Sequence, residues 1–447
     1  MNRLLLQKIF FPGYHKVIRS GVLENLRRLR ETQWFSKQDL KKLQQDKLAT
    51  LLRHAWENVP FYRKQFEEAG ISPSDFVRHD ILLQLPLLTK KDINQNLKFM
   101  ISRNRVGGKL IPNSTSGSTG EALRFYTDMR SWAARRAVTI REGEWVGVEL
   151  GDRQAILWGA PMDLKKAQTI RSKIHRWFNN YILLSSYELS KDSLRRYVRI
   201  LDQFEPVLLV SYPGPLYELA RFVLAENLHF PSIRCIVSSA ETLFPWQKET
   251  AEKAFRCPVY DRYGCREFGS IAHECETREG LHINAERVIV EVLNEELNPC
   301  KPGETGEIVI TDLDNYNMPL IRYRIGDIGA FSDHVCSCGR RLPLLQRIEG
   351  RTLDVIRTPG GKAIGGTFWT ILFRSIPGIE AFQVVQEHLD EIEVRFVKDS
   401  NFEDSCIAYF RDKIAKQCGQ DLRVSFNEVK KIEKTPSGKA RFIISRI

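Results

Sequence analysis

The run Asn113-Ser-Thr-Ser-Gly-Ser-Thr-Gly-Glu121 packs hydroxyl side chains and glycines into a short loop. Gly117 and Gly120 lack a Cβ, so the backbone can turn sharply and bring its N–H groups to an anion. Ser114, Thr115, Ser116, Ser118 and Thr119 add hydroxyl donors at the same place. A Walker loop would end in Gly-Lys-Ser/Thr, whereas here Gly120 is followed by Glu121. Ordinary surface loops share this composition, so its reading as a phosphate cradle depends on what accompanies it.

At 447 residues the chain exceeds one core and suits a large domain plus a smaller one. A hydrophobic share of 43% and a charged share of 27% are those of a globular protein. No apolar run approaches the roughly 18 residues of a membrane span, and MNRLLLQKIFFPGYHK reads as a poor secretory signal. Nine cysteines without secretory features fit reduced thiols in a cytoplasm. The net charge of +12 favours anionic partners, among them nucleotides and the inner face of a membrane, to which a peripheral contact is compatible. The basic clusters at 27–30, 41–47 and 195–199 have helical spacing among leucines and read as solvated faces. No nucleic-acid-binding signature accompanies them.

Apolar residues at three and four spacing predict helices between Val22 and Ala69, broken at Asn58-Val-Pro60. From Gln154 to Ile308 short apolar runs (Ala155–Leu157, Val207–Val210, Ile236–Val237) alternate with helical stretches (Leu216–Leu228, Trp246–Phe255). That alternation predicts a layered α/β domain whose ligands collect beyond strand C-termini. Val288–Val292 and Glu307–Thr311 are β-rich. After Arg351 strand-like runs at Ala381–Gln386, Glu391–Val397 and Arg423–Val429, with a helical run at Phe402–Gln417, predict a small α+β domain. The expected division is 1–350, with a helical lead-in over 1–105, and 351–447.

Four further signals follow in order: Asp261-Arg-Tyr-Gly-Cys-Arg-Glu267, Arg322-Tyr-Arg-Ile-Gly-Asp327, Arg347-Ile-Glu-Gly-Arg351 and Lys434-Thr-Pro-Ser-Gly-Lys439. In this order, and with Arg53-His-Ala-Trp-Glu-Asn-Val-Pro-Phe-Tyr62 ahead of them, the chain resembles the adenylate-forming superfamily from about Leu51 to its end. Within it the chain is most similar to the phenylacetate–CoA ligase branch, in the type linked to capsular polysaccharide and O-antigen biosynthesis. The resemblance implies two half-reactions. A carboxylate attacks ATP to give acyl-adenylate and pyrophosphate, and a thiol or amine, coenzyme A among the candidates, then displaces AMP while the small domain rotates.

A carboxylate attacking a phosphate needs positive charge and donors around the triphosphate. By the resemblance, the Ser/Thr loop holds the β- and γ-phosphates and Glu267 holds Mg²⁺, a hard ion that prefers oxygen. Tyr263 and Asp261 meet adenine, with Ala240 and Glu241 beside it. Asp327 accepts both ribose hydroxyls, Arg351 steadies ribose or phosphate, and Lys439 swings in during adenylation. The chain departs from the family at Glu121-Ala122-Leu123, where Pro-Lys is common, and at Ile325, where Thr precedes Gly-Asp. It also has Leu353 at the usual hinge, with Asp354 one later.

Cys336-Ser-Cys338, Cys275 and His282 make a Cys₃His set suited to tetrahedral structural zinc, with His273 as an alternative ligand. The other cysteines read as unpaired. A nucleotide-binding protein without turnover and an adenylyltransferase acting on a non-carboxylate acceptor are the alternatives to the ligase. The acyl substrate is not legible.

Overall fold

Ser36 caps the helix Lys37–Asn58 by accepting from the Asp39 N–H. The helix buries Leu40, Leu48, Leu51, Leu52 and Ala55 on one face. It stops where Pro60 begins the next helix, Pro60–Glu68, because proline lacks a donor and fits only a first turn. The helices expected between Val22 and Ala69 and the break at Asn58-Val-Pro60 are thus both present. The computed structural model describes residues 10–17, 21–78, 80–106, 108–115, 123–158, 176–186, 189–351, 356–364, 368–369, 372–373, 378–398, 400–433 and 442–447. By contacts the chain divides into two units: 1–243, 247–325 and 329–347 in one, and 244–246, 326–328 and 348–447 in the other.

In the larger unit a hairpin of β1 (Ile111–Ser114) and β2 (Arg124–Thr127) stands apart from an eleven-stranded sheet. The sheet's parallel part is β3 (Gln154–Trp158), β4 (Tyr181–Ser185), β5 (Leu208–Ser211), β6 (Cys235–Ser239) and β7 (Val259–Cys265). It continues antiparallel through β8 (Gly269–Glu274) and β9 (Leu281–Ile283). The far strands are β10 (Val288–Leu293), β11 (Gly306–Asp312), β12 (Tyr323–Ser332) and β13 (Leu344–Arg351). The spatial order is β10-β11-β12-β13-β9-β8-β7-β6-β5-β3-β4.

β5 and β6 are buried along their whole length, as strands covered on both faces must be. Helices Lys191–Phe204, Pro213–Ala225 and Pro245–Phe255 follow β4, β5 and β6 and give right-handed-crossover spacing. Their apolar faces share one core with the strands, including Leu201, Leu216, Leu219, Phe255, Leu209 and Ile236. Register aligns Leu157 with Ser211, Ser211 with Ser238, and Ser238 with Asp261. A row of polar residues therefore crosses the carboxyl edge of the parallel strands, where ligands of open α/β sheets bind.

The smaller unit holds the two-stranded β14 (Ile356–Arg357) and β15 (Ala363–Ile364), and a four-stranded sheet. That sheet comprises β16 (Ile379–His388), β17 (Glu391–Lys398), β18 (Arg423–Glu428) and β19 (Ile443–Ser445), in the order β18-β17-β16-β19. Ile392, Val394 and Phe396 alternate inward along β17. They pack with Phe373, Phe382 and with Phe410 from helix Ser405–Cys418 in one core. This is the mixed α+β pattern expected from the sequence.

Candidate functional site

Two glycines bracket the turn that follows β7. A Cβ on Gly264 would lie 2.4 Å from the Gly269 carbonyl oxygen, so only glycine lets the two strands approach there. The register slips by a bulge between Tyr263 and Gly264, which re-aims the strand end. Gly269 has φ +73°, and a Cβ on it would stand 3.3 Å from the Arg135 stem. Between them the turn carries Glu267, 8% exposed. Among the described residues, hydrogen bonds to Glu267 reach only its backbone carbonyl, which Arg135 engages. An uncommitted hard-oxygen carboxylate at a turn is the donor that Mg²⁺ takes.

The next residue back, Arg266, donates to the carbonyl of Ser114 at 3.3 Å. The Glu267 turn and the start of the Ser/Thr loop therefore adjoin. The base of that loop is pinched. Thr115 N–H donates to Leu123 O at 3.0 Å, and Leu123 N–H donates to Thr115 Oγ1 at 3.1 Å. The Thr115 oxygen is thus taken as an acceptor, leaving its proton to donate elsewhere. Ser116, Gly117, Ser118, Thr119 and Gly120, with Glu121, lie outside the described residues.

Asp261 and Tyr263 sit on β7. Asp261 N–H donates to Glu274 Oε2 at 2.8 Å, and Glu274 holds Lys248 at 3.2 Å. Burial, then the Glu274 charge, pushes the Asp261 carboxyl up to about 7. Beyond β6, Ala240 has φ +71°, a left-handed conformation that costs a residue with a Cβ. Glu241 Oε2 comes within 3.8 Å of the Gly214 Cβ position, at the first turn of helix Pro213–Ala225, where a helix dipole favours an anion. Asp327 follows Gly326, whose φ is +81°, on β12. Arg351 is the last residue of β13. Lys439, Leu353 and Asp354 lie outside the described residues.

At the other end of β8, Cys275, His282, Cys336 and Cys338 offer ligand atoms that all lie within 4.8 Å of one another. Cys275 Sγ and Cys336 Sγ are 3.6 Å apart, and Cys338 Sγ is 3.4 Å from His282 Nε2. Tetrahedral Zn–S bonds of about 2.3 Å would set sulfurs roughly 3.8 Å apart, so the set fits that ion. Glu279 shapes the Cys336-Ser-Cys338 turn by accepting from Ser337 N–H at 3.0 Å. The alternative ligand His273 points its Nδ1 to the Glu274 carbonyl instead and is not in the cluster. None of the nine cysteines forms a disulfide.

Sequence reasoning missed the buried charges behind the Glu267 turn. Asp312 bridges Arg135 at 3.3 Å and Arg287 at 3.4 Å. Arg135 lies on helix Met129–Trp145, outside the basic clusters that the sequence singles out. No periodicity marks it as buried.

The architecture, a large α/β sheet domain and a small α+β unit, is that of the adenylate-forming CoA ligases. A 2-hydroxyisobutyryl-CoA ligase in its postadenylation state, bound to R3-HIB-AMP, superposes with a TM-score of 0.74 at 21% identity, over 92% of this chain and 90% of that one. Closer in sequence is Protein CapK of Staphylococcus aureus, 28% identical over 439 residues, covering 95% of this chain and 92% of CapK. Residues 356–446 match the family model of the CapK C-terminal domain. The phenylacetate-coenzyme A ligase of Escherichia coli K12 is 28% identical over 328 residues, 71% of this chain and 72% of the ligase. The resemblance to the phenylacetate–CoA ligase branch, and within it to the CapK type, is borne out by these likenesses.

Proposed function

We propose that this protein is an ATP-dependent, AMP-forming ligase that activates a small carboxylate as its acyl-adenylate and passes the acyl group to a thiol or amine. The observation that carries the reading is the Arg266–Ser114 contact of 3.3 Å, which joins the Glu267 turn to the Ser/Thr loop. The phenylacetate–CoA ligase relatives support the ligase chemistry, and they favour coenzyme A as acceptor. The likeness to CapK favours a carboxylate used in cell-surface polysaccharide biosynthesis.

In this reading Ser114, Thr115 and the following loop residues through Gly120 receive the β- and γ-phosphates. Bound Mg²⁺ would neutralise phosphate charge, and Glu267 would hold it. Asp261, Tyr263, Ala240 and Glu241 line the adenine side, while Asp327 and Arg351 serve ribose and phosphate. With its carboxyl near 7, Asp261 can present either an acceptor or a donor to the base. The Cys₃His cluster would hold zinc for stability, outside the chemistry. Residues 351–447 act as a mobile domain that delivers Lys439 for adenylation and withdraws it for transfer.

Pyrophosphate release screened over a panel of carboxylates, with and without coenzyme A, tests the ligase reading directly. ATP- and carboxylate-dependent release is the expected result. Nucleotide binding without release for every acid would leave a non-catalytic binder. Release without any carboxylate would point to adenylyl transfer onto another acceptor. Lys439→Ala should abolish adenylate formation from ATP yet largely spare transfer from a pre-made acyl-adenylate. Equal loss in both half-reactions would count against domain alternation.

A further inference from the structure

Five charged side chains of alternating sign run in a row behind the Glu267 turn. Lys47 Nζ meets Asp314 Oδ1 at 2.6 Å, and Asp314 Oδ2 accepts from Arg287 Nε at 3.1 Å. Arg287 Nη2 reaches Asp312 Oδ1 at 3.4 Å, and Asp312 Oδ2 accepts from Arg135 Nη2 at 3.3 Å. Asp312 and Arg287 are fully buried. Burying so many charges is costly, and a well-packed apolar core of similar volume is often at least as stable. Stability alone therefore does not account for the row.

Both guanidiniums of the row also donate to the turn. Arg135 Nη1 donates to the Arg266 carbonyl at 3.1 Å, and Arg135 Nη2 donates to the Glu267 carbonyl. Arg287 Nη1 donates to the Phe268 carbonyl at 3.1 Å. Three consecutive carbonyls, which a surface turn ordinarily leaves to water, are held by two guanidiniums. The first two belong to the peptide planes on either side of the Glu267 Cα. A change of φ or ψ at Glu267 would rotate one of those planes off Arg135. Arg135 Nε is itself buried with no partner among the described residues, so the side chain is aimed at the turn at the expense of one of its own donors.

We infer that Arg135 and Arg287, bridged by Asp312, are positioning residues that fix the direction of the Glu267 carboxylate and so set the Mg²⁺ requirement for nucleotide binding. The inference rests on the proposed role of Glu267. Lysine cannot reproduce the planar fork that spans two carbonyls, so Arg135→Lys keeps the charge and loses the grip. Asp312→Asn keeps the shape and removes the bridging charge.

The test measures ATP binding by calorimetry across a Mg²⁺ titration, together with thermal stability, in the full chain. Arg135→Lys should raise the Mg²⁺ concentration for half-maximal effect by about tenfold, as for loss of an outer partner of a metal ligand. ATP affinity without Mg²⁺ should be unchanged. Asp312→Asn should move the same way. If it does not fold, Arg135→Lys, whose side chain is 16% exposed where that of Asp312 is fully buried, decides alone. A lower Tm with a Mg²⁺ requirement within about twofold of the parent would make the row purely structural and overturn the inference. Glu267→Gln is run beside them. A shift there with none in Arg135→Lys removes only the positioning role, whereas no shift in Glu267→Gln removes the assignment of the carboxylate itself.

Discussion

Strand β8 has a different kind of order at each end. Ahead of it, Glu267 stands on a turn gripped through its backbone carbonyls, with the carboxylate left uncommitted. Behind it, Cys275 joins His282, Cys336 and Cys338, whose side-chain atoms converge on one point. The first arrangement holds the main chain and leaves the carboxylate oxygens unengaged by the described residues. The second turns all four side chains toward one position, with Cys275, His282 and Cys336 buried and Cys338 half-buried, the pattern of closed structural metal sites. A hard, uncommitted carboxylate and a soft, convergent thiol–imidazole cluster thus flank the two ends of one six-residue strand.

If that contrast is right, substitutions at the two ends should fail differently. The largest effect belongs to Glu267→Gln, which should leave the fold intact and cut ATP–pyrophosphate exchange by on the order of 10²-fold, as for loss of one charged transition-state contact. Near-parental exchange at saturating Mg²⁺ would break the comparison at its open end.

At the closed end, Cys336→Ser should lower bound zinc and reduce Tm by roughly 5 °C or more, because forming the site is coupled to folding. Elemental analysis of protein purified without chelator checks it. Protein free of zinc, with Tm unmoved by chelator, would mean the thiols only pack.

The smallest effect concerns Asp261, whose amide ties β7 to Glu274 at the closed end of β8. Burial and Glu274 raise its carboxyl from the ordinary 3.8 to about 7 in the folded protein. The folded state therefore binds this proton more tightly than the unfolded chain, and stability falls as pH rises through that window. Asp261→Asn should remove the decline. Its stability relative to the parent should climb between about pH 4 and 7, by on the order of 2 kcal/mol after allowing for water screening, and stay flat above. Parallel stability curves for the two proteins across that range would show that Asp261 does not titrate there.

Much of the fold is legible in the chain. Continuous apolar runs place β3, β5 and β6 within a residue or two, because strands covered by helices are apolar along most of their length. Alternation places β17, whose inward residues Ile392, Val394 and Phe396 follow a period of two. β8 went unrecognised because its run Gly-Ser-Ile-Ala-His-Glu begins with glycine and ends polar. Its buried Ser270 is satisfied by Glu142, which a local pattern cannot register. The expected strand Val207–Val210 ends one residue later, at Ser211, because the row of serines at the carboxyl edge belongs to the sheet.

For the site, the sequence by itself determined which chemical groups exist: a hydroxyl- and glycine-rich loop, a carboxylate at the end of Tyr-Gly-x-x-Glu, and three thiols with a histidine. Those are properties of residue type and short spacing. Only the tertiary structure decided that Arg266 would reach Ser114 across 152 positions, that His282 and not His273 would face the thiols, and that Arg135, Arg287 and Asp312 would meet behind Glu267. These pairings join segments far apart in the chain. Their strength depends on burial, which sequence periodicity reports for apolar faces and hides for charges that cancel one another inside.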